Sequence, residues 1–208
     1  MGMDRKKHWE SVYRLKGPSE VSWYQAEARL SFGWIRKLAP ATGDPVIDVG
    51  GGASVLVDEL GTAGYTNVTV LDLAPAALDR ARDRLGPRGS GVTWIEADVL
   101  SAALPSGGFA FWHDRAVFHF LTDPADRARY VAQVRWSVRP GGHVLIATFA
   151  ADGPTRCSGL DVMRYAPPEL QAQFGPGFVL VAAEREEHQT PSGARQAFTY
   201  CICRWLGS

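Results

Sequence analysis

Val46-Ile47-Asp48-Val49-Gly50-Gly51-Gly52 decides how the rest of the chain is read. Val46–Val49 has the pattern of a short strand buried on both faces. The glycines turn it straight into a helical stretch, ASVLVDELGTAG at residues 53–64, closed by Gly64. The same alternation follows downstream. Val68–Asp72 reads as a second strand and residues 75–85 as a helix with Pro75 in its first turn, where proline is tolerated. Val92–Ile95 and Phe109–His113 read as the third and fourth strands, residues 124–138 as a helix, and Gly141-Gly142 leads into a fifth strand, His143–Phe149. Strands alternating with helices predict an α/β fold with a parallel sheet covered on both faces. The last quarter breaks the pattern. Residues 150–165 read as a loop and 167–174 as a short helix. Phe178–Ala183 and Arg195–Arg204 read as strands joined through Pro191-Ser192-Gly193. With no helix between them, these two strands should pair antiparallel.

Upstream of the first strand, Leu30, Trp34, Ile35 and Leu38 mark one face of a helix over Glu27–Leu38 that Pro40 ends. Residues 1–25 are polar and aromatic. Two short helical patterns flank the breaker Gly17-Pro18. The division expected is an N-terminal helical segment, 1–26, and a main domain, 27–208. With 208 residues in all, the chain is long enough for one domain and a small appendage.

Lys+Arg and Asp+Glu both number 22, so the formal net charge is zero. Binding to nucleic-acid phosphates or to an anionic membrane surface draws on a basic excess, so the balance argues against both. The start MGMDRKKHWE lacks the apolar core of a secretory leader, and no stretch approaches the 18 or so apolar residues of a membrane span. Three cysteines, Cys157, Cys201 and Cys203, make a poor disulfide framework, and a cytoplasmic location is the expectation. No zinc-type spacing is present, so no metal is expected; Cys157 with His188 is a conceivable pair without supporting spacing.

A glycine turn after a strand lets backbone approach a ligand closely and presents helix N-terminal N–H groups, though such a turn also serves structure alone. The dinucleotide fingerprint wants a small residue at position 55, where Val55 stands, which counts against a nicotinamide-dependent oxidoreductase. Asp72 ends the second strand 22 positions after Gly50, placed to accept the two hydroxyls of a ribose or to cap the next helix. Asp98 follows the third strand, placed to accept from an adenine amino group or to sit in a loop. Glycine turn, Asp72 and Asp98 at three successive strand ends form a constellation far more specific than any one of them.

This constellation resembles the class I S-adenosylmethionine-dependent methyltransferases over residues 27–204. Its carriers are Ile47–Gly52, Val70-Leu71-Asp72-Leu73, Glu96-Ala97-Asp98-Val99 and Arg139-Pro140-Gly141-Gly142-His143. The resemblance implies a doubly wound, Rossmann-like sheet of seven strands, mostly parallel with the last antiparallel. It implies S-adenosylmethionine as cofactor, held by Asp48, Gly50, Gly52, Asp72, Leu73, Asp98 and Val99, and S-adenosylhomocysteine as product. His8-Trp9 and Val21-Ser22-Trp23-Tyr24-Gln25 look like the N-terminus of small methyltransferases that act on protein lysines and on thiols. By that likeness Trp23 and Tyr24 contact the cofactor's methionine end, where an aromatic face favours a sulfonium cation; otherwise they pack the N-terminal segment on the sheet.

Methyl transfer from a sulfonium is a direct displacement, accelerated largely by orientation. A base is needed only if the acceptor must lose a proton. The segment after strand four, Trp112–Phe120, is where this fold places acceptor and methyl group. His119 is the candidate base, since imidazole titrates near working pH; the alternative is a packed histidine. Asp114 and Arg115 are placed to meet the cofactor's zwitterionic end or to pair with each other. Arg156, Cys157 and Arg164, in the loop after strand five, are candidates for an acceptor pocket. The base-methylating motif Asn/Asp-Pro-Pro-Tyr/Phe and a Pro-Cys nucleophile are both missing after strand four. The acceptor expected is therefore a small molecule or a protein side chain, not a nucleic acid; the competing readings are an oxidoreductase and a module that binds the cofactor without turnover. Of seven tryptophans, Trp94, Trp112, Trp34 and Trp136 are expected in the core, and Trp9 and Trp23 over the cofactor.

Overall fold

The computed structural model describes residues 4–207; the first three residues of the expected 1–26 segment lie outside it. β1 (Val46–Val49) is buried along its whole length. β2 (Val68–Asp72) and β4 (Phe109–Arg115) flank it in parallel, with Val46 opposite Val68 on one side and Phe111 on the other. β3 (Thr93–Glu96) joins β2, and β5 (Val138–Phe149) joins β4, both parallel. β6 (Arg156–Cys157) and β7 (Leu160–Asp161) form a separate two-stranded ribbon. β9 (Arg195–Trp205) pairs antiparallel with β5, and β8 (Phe178–Gln189) antiparallel with β9. The main sheet has seven strands in the order β3-β2-β1-β4-β5-β9-β8. This is the mostly parallel, Rossmann-like arrangement with an antiparallel closing strand that the sequence resemblance implied.

Helices cover both faces because successive strand residues point to opposite sides. Phe111 packs with α2 (Arg29–Leu38), α3 (Leu56–Thr62) and α4 (Pro75–Leu85) through Trp34, Ile35, Leu60 and Leu78. Its neighbour Trp112 packs with α5 (Pro124–Ser137) and α6 (Pro167–Phe174) through Tyr130, Val134, Leu170 and Phe174. Both strand aromatics are fully buried, each contributing about 2–3 kcal/mol of apolar transfer. The remaining helix, α1 (Arg5–Leu15), is capped by the Asp4 carboxylate and lies against α4.

Several boundaries differ from expectation. β5 begins at Val138, not His143: Arg139–Gly142 continues the strand after a pairing irregularity between Phe109 and Phe111. β8 continues through Glu184–His188 because the long β9 offers it partners as far as Gln189. The helix after the glycine turn starts at Leu56, since residues 53–55 are taken up by the turn. The second N-terminal helix is a single 3₁₀ turn, Pro18–Glu20. The 150–165 loop contains the β6–β7 ribbon, whose tight turn places Ser158 (φ 49°) and Gly159 (φ 79°) in the left-handed region. Trp136, expected to face the sheet, is 57% exposed, with its indole N–H on the Leu104 carbonyl.

Candidate active site

The parallel strands deliver their C-terminal ends to one edge of the sheet, where α/β folds bind ligands. Gly50 leaves β1 at φ 70°, and a Cβ there would sit 2.1 Å from a Val117 methyl. A Cβ on Gly52 would sit 2.5 Å from both an Asp72 oxygen and the Ala77 methyl. The glycines thus let Val117 and the Asp72 carboxylate close onto the turn.

Two cavities meet there. The first runs over the ends of β1, β2 and β3 and takes in Leu71, Asp72, Leu73, Asp98 and Val99. The second takes in Asp48, Gly51, Tyr24, Ser31 and His113. Gly50, Tyr13, Trp23 and Arg115 border both. Asp72 is buried and receives the Ala74 N–H at 2.9 Å. Burial pushes its pKa up to about 6, against the pull of backbone N–H groups from Ala74, Gly52 and Leu73. Asp98 receives the Leu100 N–H at 2.9 Å. Asp48 accepts at 2.7 Å from His113 Nδ1, while His113 Nε2 lies 2.7 Å from the Ser31 hydroxyl. The second Asp48 oxygen is buried at the second cavity with no hydrogen-bond partner among the described residues. A buried carboxylate oxygen without a donor is costly, and a cationic group in that cavity would satisfy it. The amino acid end of S-adenosylmethionine carries such a group, and the first cavity offers carboxylates for a nucleoside, so the residues present fit this cofactor.

The comparisons agree with the geometry. A family described as a methyltransferase domain matches residues 46–142. A ubiquinone biosynthesis O-methyltransferase from Aromatoleum aromaticum is 30% identical over 200 residues, covering 96% of this chain and 76% of that protein. The chain belongs to the S-adenosylmethionine-dependent methyltransferases. The human EEF1A lysine methyltransferase 2 is 26% identical over 201 residues, covering 89% of this chain and 77% of that one. The chain spans 60% of the length of a further O-methyltransferase relative. Among solved structures, the Burkholderia thailandensis 1,6-didemethyltoxoflavin-N1-methyltransferase with bound S-adenosylhomocysteine superposes with a TM-score of 0.69 at 19% identity, covering 97% of this chain and 84% of that one. Family membership and the antiparallel closing strand set aside the oxidoreductase reading.

In this methyltransferase the N-terminal segment covers the cleft. Arg5, Trp9 and Tyr13 are spaced i, i+4, i+8 on α1, and all three border the first cavity. Arg5 pairs with Asp126 on α5 at 2.5 Å, Lys6 with Glu96 on β3 at 2.6 Å, and Glu10 receives the Ala76 N–H of α4 at 3.1 Å. The Trp9 ring meets Trp23 at 5.6 Å and Phe120 at 5.0 Å, both edge-on. Arg115 holds the Trp23 end: it donates to the Trp23 carbonyl, to the Tyr200 hydroxyl at 2.8 Å and to Glu186 at 3.1 Å. Gln25 donates to the other Glu186 oxygen.

Four expected roles change. Asp114 is fully buried and borders neither cavity; it accepts from the Val117 and Phe118 N–H groups and from Tyr130 Oη at 2.5 Å. Burial raises its pKa to about 6. It shapes the turn after β4 and does not pair with Arg115. His119 is fully buried against Phe120 and Phe149, off both cavities, and burial pushes its pKa down to about 3. The 3₁₀ turn Phe118–Phe120 explains the misplacement: at three residues per turn, Val117 and Phe120 share the cavity side and His119 does not. Arg156 is exposed and pairs with Asp161, and Arg164 is exposed and donates to the Gly153 carbonyl. On the ribbon, side chains alternate, so Cys157 faces the first cavity while Arg156 faces water. Burial raises the Cys157 thiol to about 11, with Ser22, Arg115, Lys16 and Ser158 pulling the other way. His188 reaches the Ser22 carbonyl at 2.8 Å through Nε2. Among the described residues no cluster of three or more metal-ligating side chains occurs, and no helix is long and apolar enough to cross a membrane.

Sequence reasoning missed Tyr13, Phe120, the Ser31–His113–Asp48 chain and the Glu186–Tyr200 anchor of Arg115. The spacing of Arg5, Trp9 and Tyr13 on one helix face was a readable signal. The contacts of His113 with Asp48 and Ser31, and of Arg115 with Glu186 and Tyr200, join positions 65 to 85 residues apart and leave no local trace.

Proposed function

We propose that this methyltransferase acts on a small acceptor whose nucleophilic atom ionises by itself, a thiol or an acidic phenol. In this reading Asp72 binds the ribose hydroxyls, Asp98, Leu73 and Val99 bind the adenine, and Gly50 and Gly52 let the chain approach the nucleoside. Asp48 takes the amino group through its free oxygen, and Trp23, Tyr24 and Arg115 enclose the amino acid end. When bound, S-adenosylmethionine supplies a methyl carbon on a sulfonium: the acceptor's lone pair forms the new bond, and the electrons of the broken C–S bond stay on sulfur.

The observation that carries the acceptor class is the make-up of the first cavity. Among the described residues no histidine borders it, and its carboxylates, Asp72 and Asp98, stand at the β2 and β3 ends. Trp23, Phe120 and Cys157 form an apolar wall on the other side of β1. His113, at the second cavity, is engaged on both ring nitrogens. An acceptor here must arrive ready to attack, with orientation and exclusion of water as the protein's contribution. Among the described residues, a protein lysine, cationic at neutral pH, finds no histidine at this cavity to take its proton. The O-methyltransferase relative is named for an oxygen acceptor, which agrees with this chemistry.

The test is a pH–rate profile for labelled-methyl transfer to 4-nitrothiophenol and 2-mercaptoethanol. At saturating S-adenosylmethionine each rate should follow its own thiol's ionisation, in wild type and in His119→Gln alike. A shared break near neutral pH that vanishes in His119→Gln would overturn the proposal.

A further inference from the structure

A polar groove lies on the outer side of the wall that closes the first cavity. Lys16, Ser19, Glu20, Ser22, Ser158 and Ser192 line it. Two chain crossings join it to the cofactor cleft. Ser22 borders the groove and the next residue, Trp23, borders both cavities. Ser158 borders the groove and the preceding residue, Cys157, borders the first cavity. Cys157 thus borders the first cavity and lies beside Ser22, Ser158 and Lys16 of the groove, so its side chain stands between the two spaces. The groove's charges are unequal in availability. The Glu20 carboxylate is engaged by the Gly17 N–H. Lys16 is exposed and makes no ion pair among the described residues.

From this juxtaposition we infer that the groove is the acceptor's binding entrance, and that it recognises an acceptor bearing a carboxylate or phosphate: Lys16 takes the anion, the serine hydroxyls donate to it, and the nucleophilic end passes Cys157 toward the methyl group. An ammonium with no partner beside several hydroxyls suits an anion and disfavours the cationic side chain of a lysine peptide. The inference rests on the small-acceptor reading above and adds where that acceptor sits and what charge it carries.

The experiment uses the full chain and two acid–amide pairs: 3-mercaptopropionate with 3-mercaptopropionamide, and 3,4-dihydroxybenzoate with its amide. Labelled-methyl kinetics are measured beside calorimetric titration with S-adenosylhomocysteine. The acid should have the lower KM by about fivefold, the scale of one exposed ion pair. Lys16→Gln should remove that preference by raising the acid's KM, with S-adenosylhomocysteine affinity within twofold of wild type. Ser19→Trp, at an exposed groove position, should lower kcat/KM for the acids about tenfold with the same retained affinity. Equal KM values for acid and amide, a preference that survives Lys16→Gln, or no methylation of any of the four compounds each overturn the inference. Loss of S-adenosylhomocysteine binding in wild type would instead mark failure of the underlying cofactor reading.

Discussion

The two sides of the cleft are built by different means. The side proposed to hold the nucleoside consists of strand ends: the Gly50–Gly52 turn, Asp72 at the end of β2 and Asp98 after β3. The side proposed to take the acceptor is assembled from α1, the 21–25 segment, β4, β8, β9 and the β6–β7 ribbon, joined by the Arg115–Glu186–Tyr200 network and by aromatic edges. The first depends on backbone geometry that a parallel sheet supplies at every strand end. The second depends on side chains from six parts of the chain finding one another. A fault on the nucleoside side should cost the larger share of cofactor affinity, whereas a fault on the acceptor side should loosen it by smaller degrees.

The largest effect expected is at Gly50. Ala there must adopt φ 70° with its methyl 2.1 Å from Val117. Gly50→Ala should abolish S-adenosylhomocysteine binding and lower stability by roughly 3 kcal/mol, from strain and overpacking together. Calorimetry and thermal unfolding check both. Retained affinity would show that the turn does not need its close approach to Val117. Next is Glu186→Ala. It leaves the mostly buried Arg115 (8% exposed side chain) without its carboxylate. Breaking such a pair costs about 3 kcal/mol. The loss of S-adenosylhomocysteine affinity should be partial, about tenfold, because the strand ends stay in place. Complete loss would erase the contrast between the two sides. The smallest effect belongs to Trp9→Ala, which removes edge contacts worth roughly 1 kcal/mol and should weaken the ligand about fivefold.

The same contrast explains what could be read from the sequence. The βα alternation, the closing hairpin and the three strand ends are local patterns, and the structure places them as read. The acceptor side was legible only in fragments. Trp23 and Arg115 were singled out, but not the Glu186 and Tyr200 that hold Arg115 in place. The candidacy of His119 as a base rests on its residue type and its place after β4, yet position along the chain does not say which side of a 3₁₀ turn a residue takes. Arg156 and Cys157 were grouped together, yet the ribbon's alternation sends them to opposite sides. Helix pattern alone puts Trp136 in the core, whereas the indole is exposed on α5.

The central claim, that the strand-end carboxylates hold the nucleoside of S-adenosylmethionine, is tested most directly by calorimetric titration with S-adenosylhomocysteine across pH. Asp72 must be ionised to accept both ribose hydroxyls, and in the cofactor-free protein burial raises its pKa to about 6. Lowering pH through that value protonates it, so binding must then release a proton. Affinity should be level above about pH 7 and fall by up to tenfold per pH unit below about 6. Asp72→Ala should bind at least about 30-fold more weakly at pH 8, the loss of hydrogen bonds to a charged group, with little of that pH dependence left. Equal affinity for wild type and Asp72→Ala at pH 8, with the same fall toward pH 5 in both, would contradict the account.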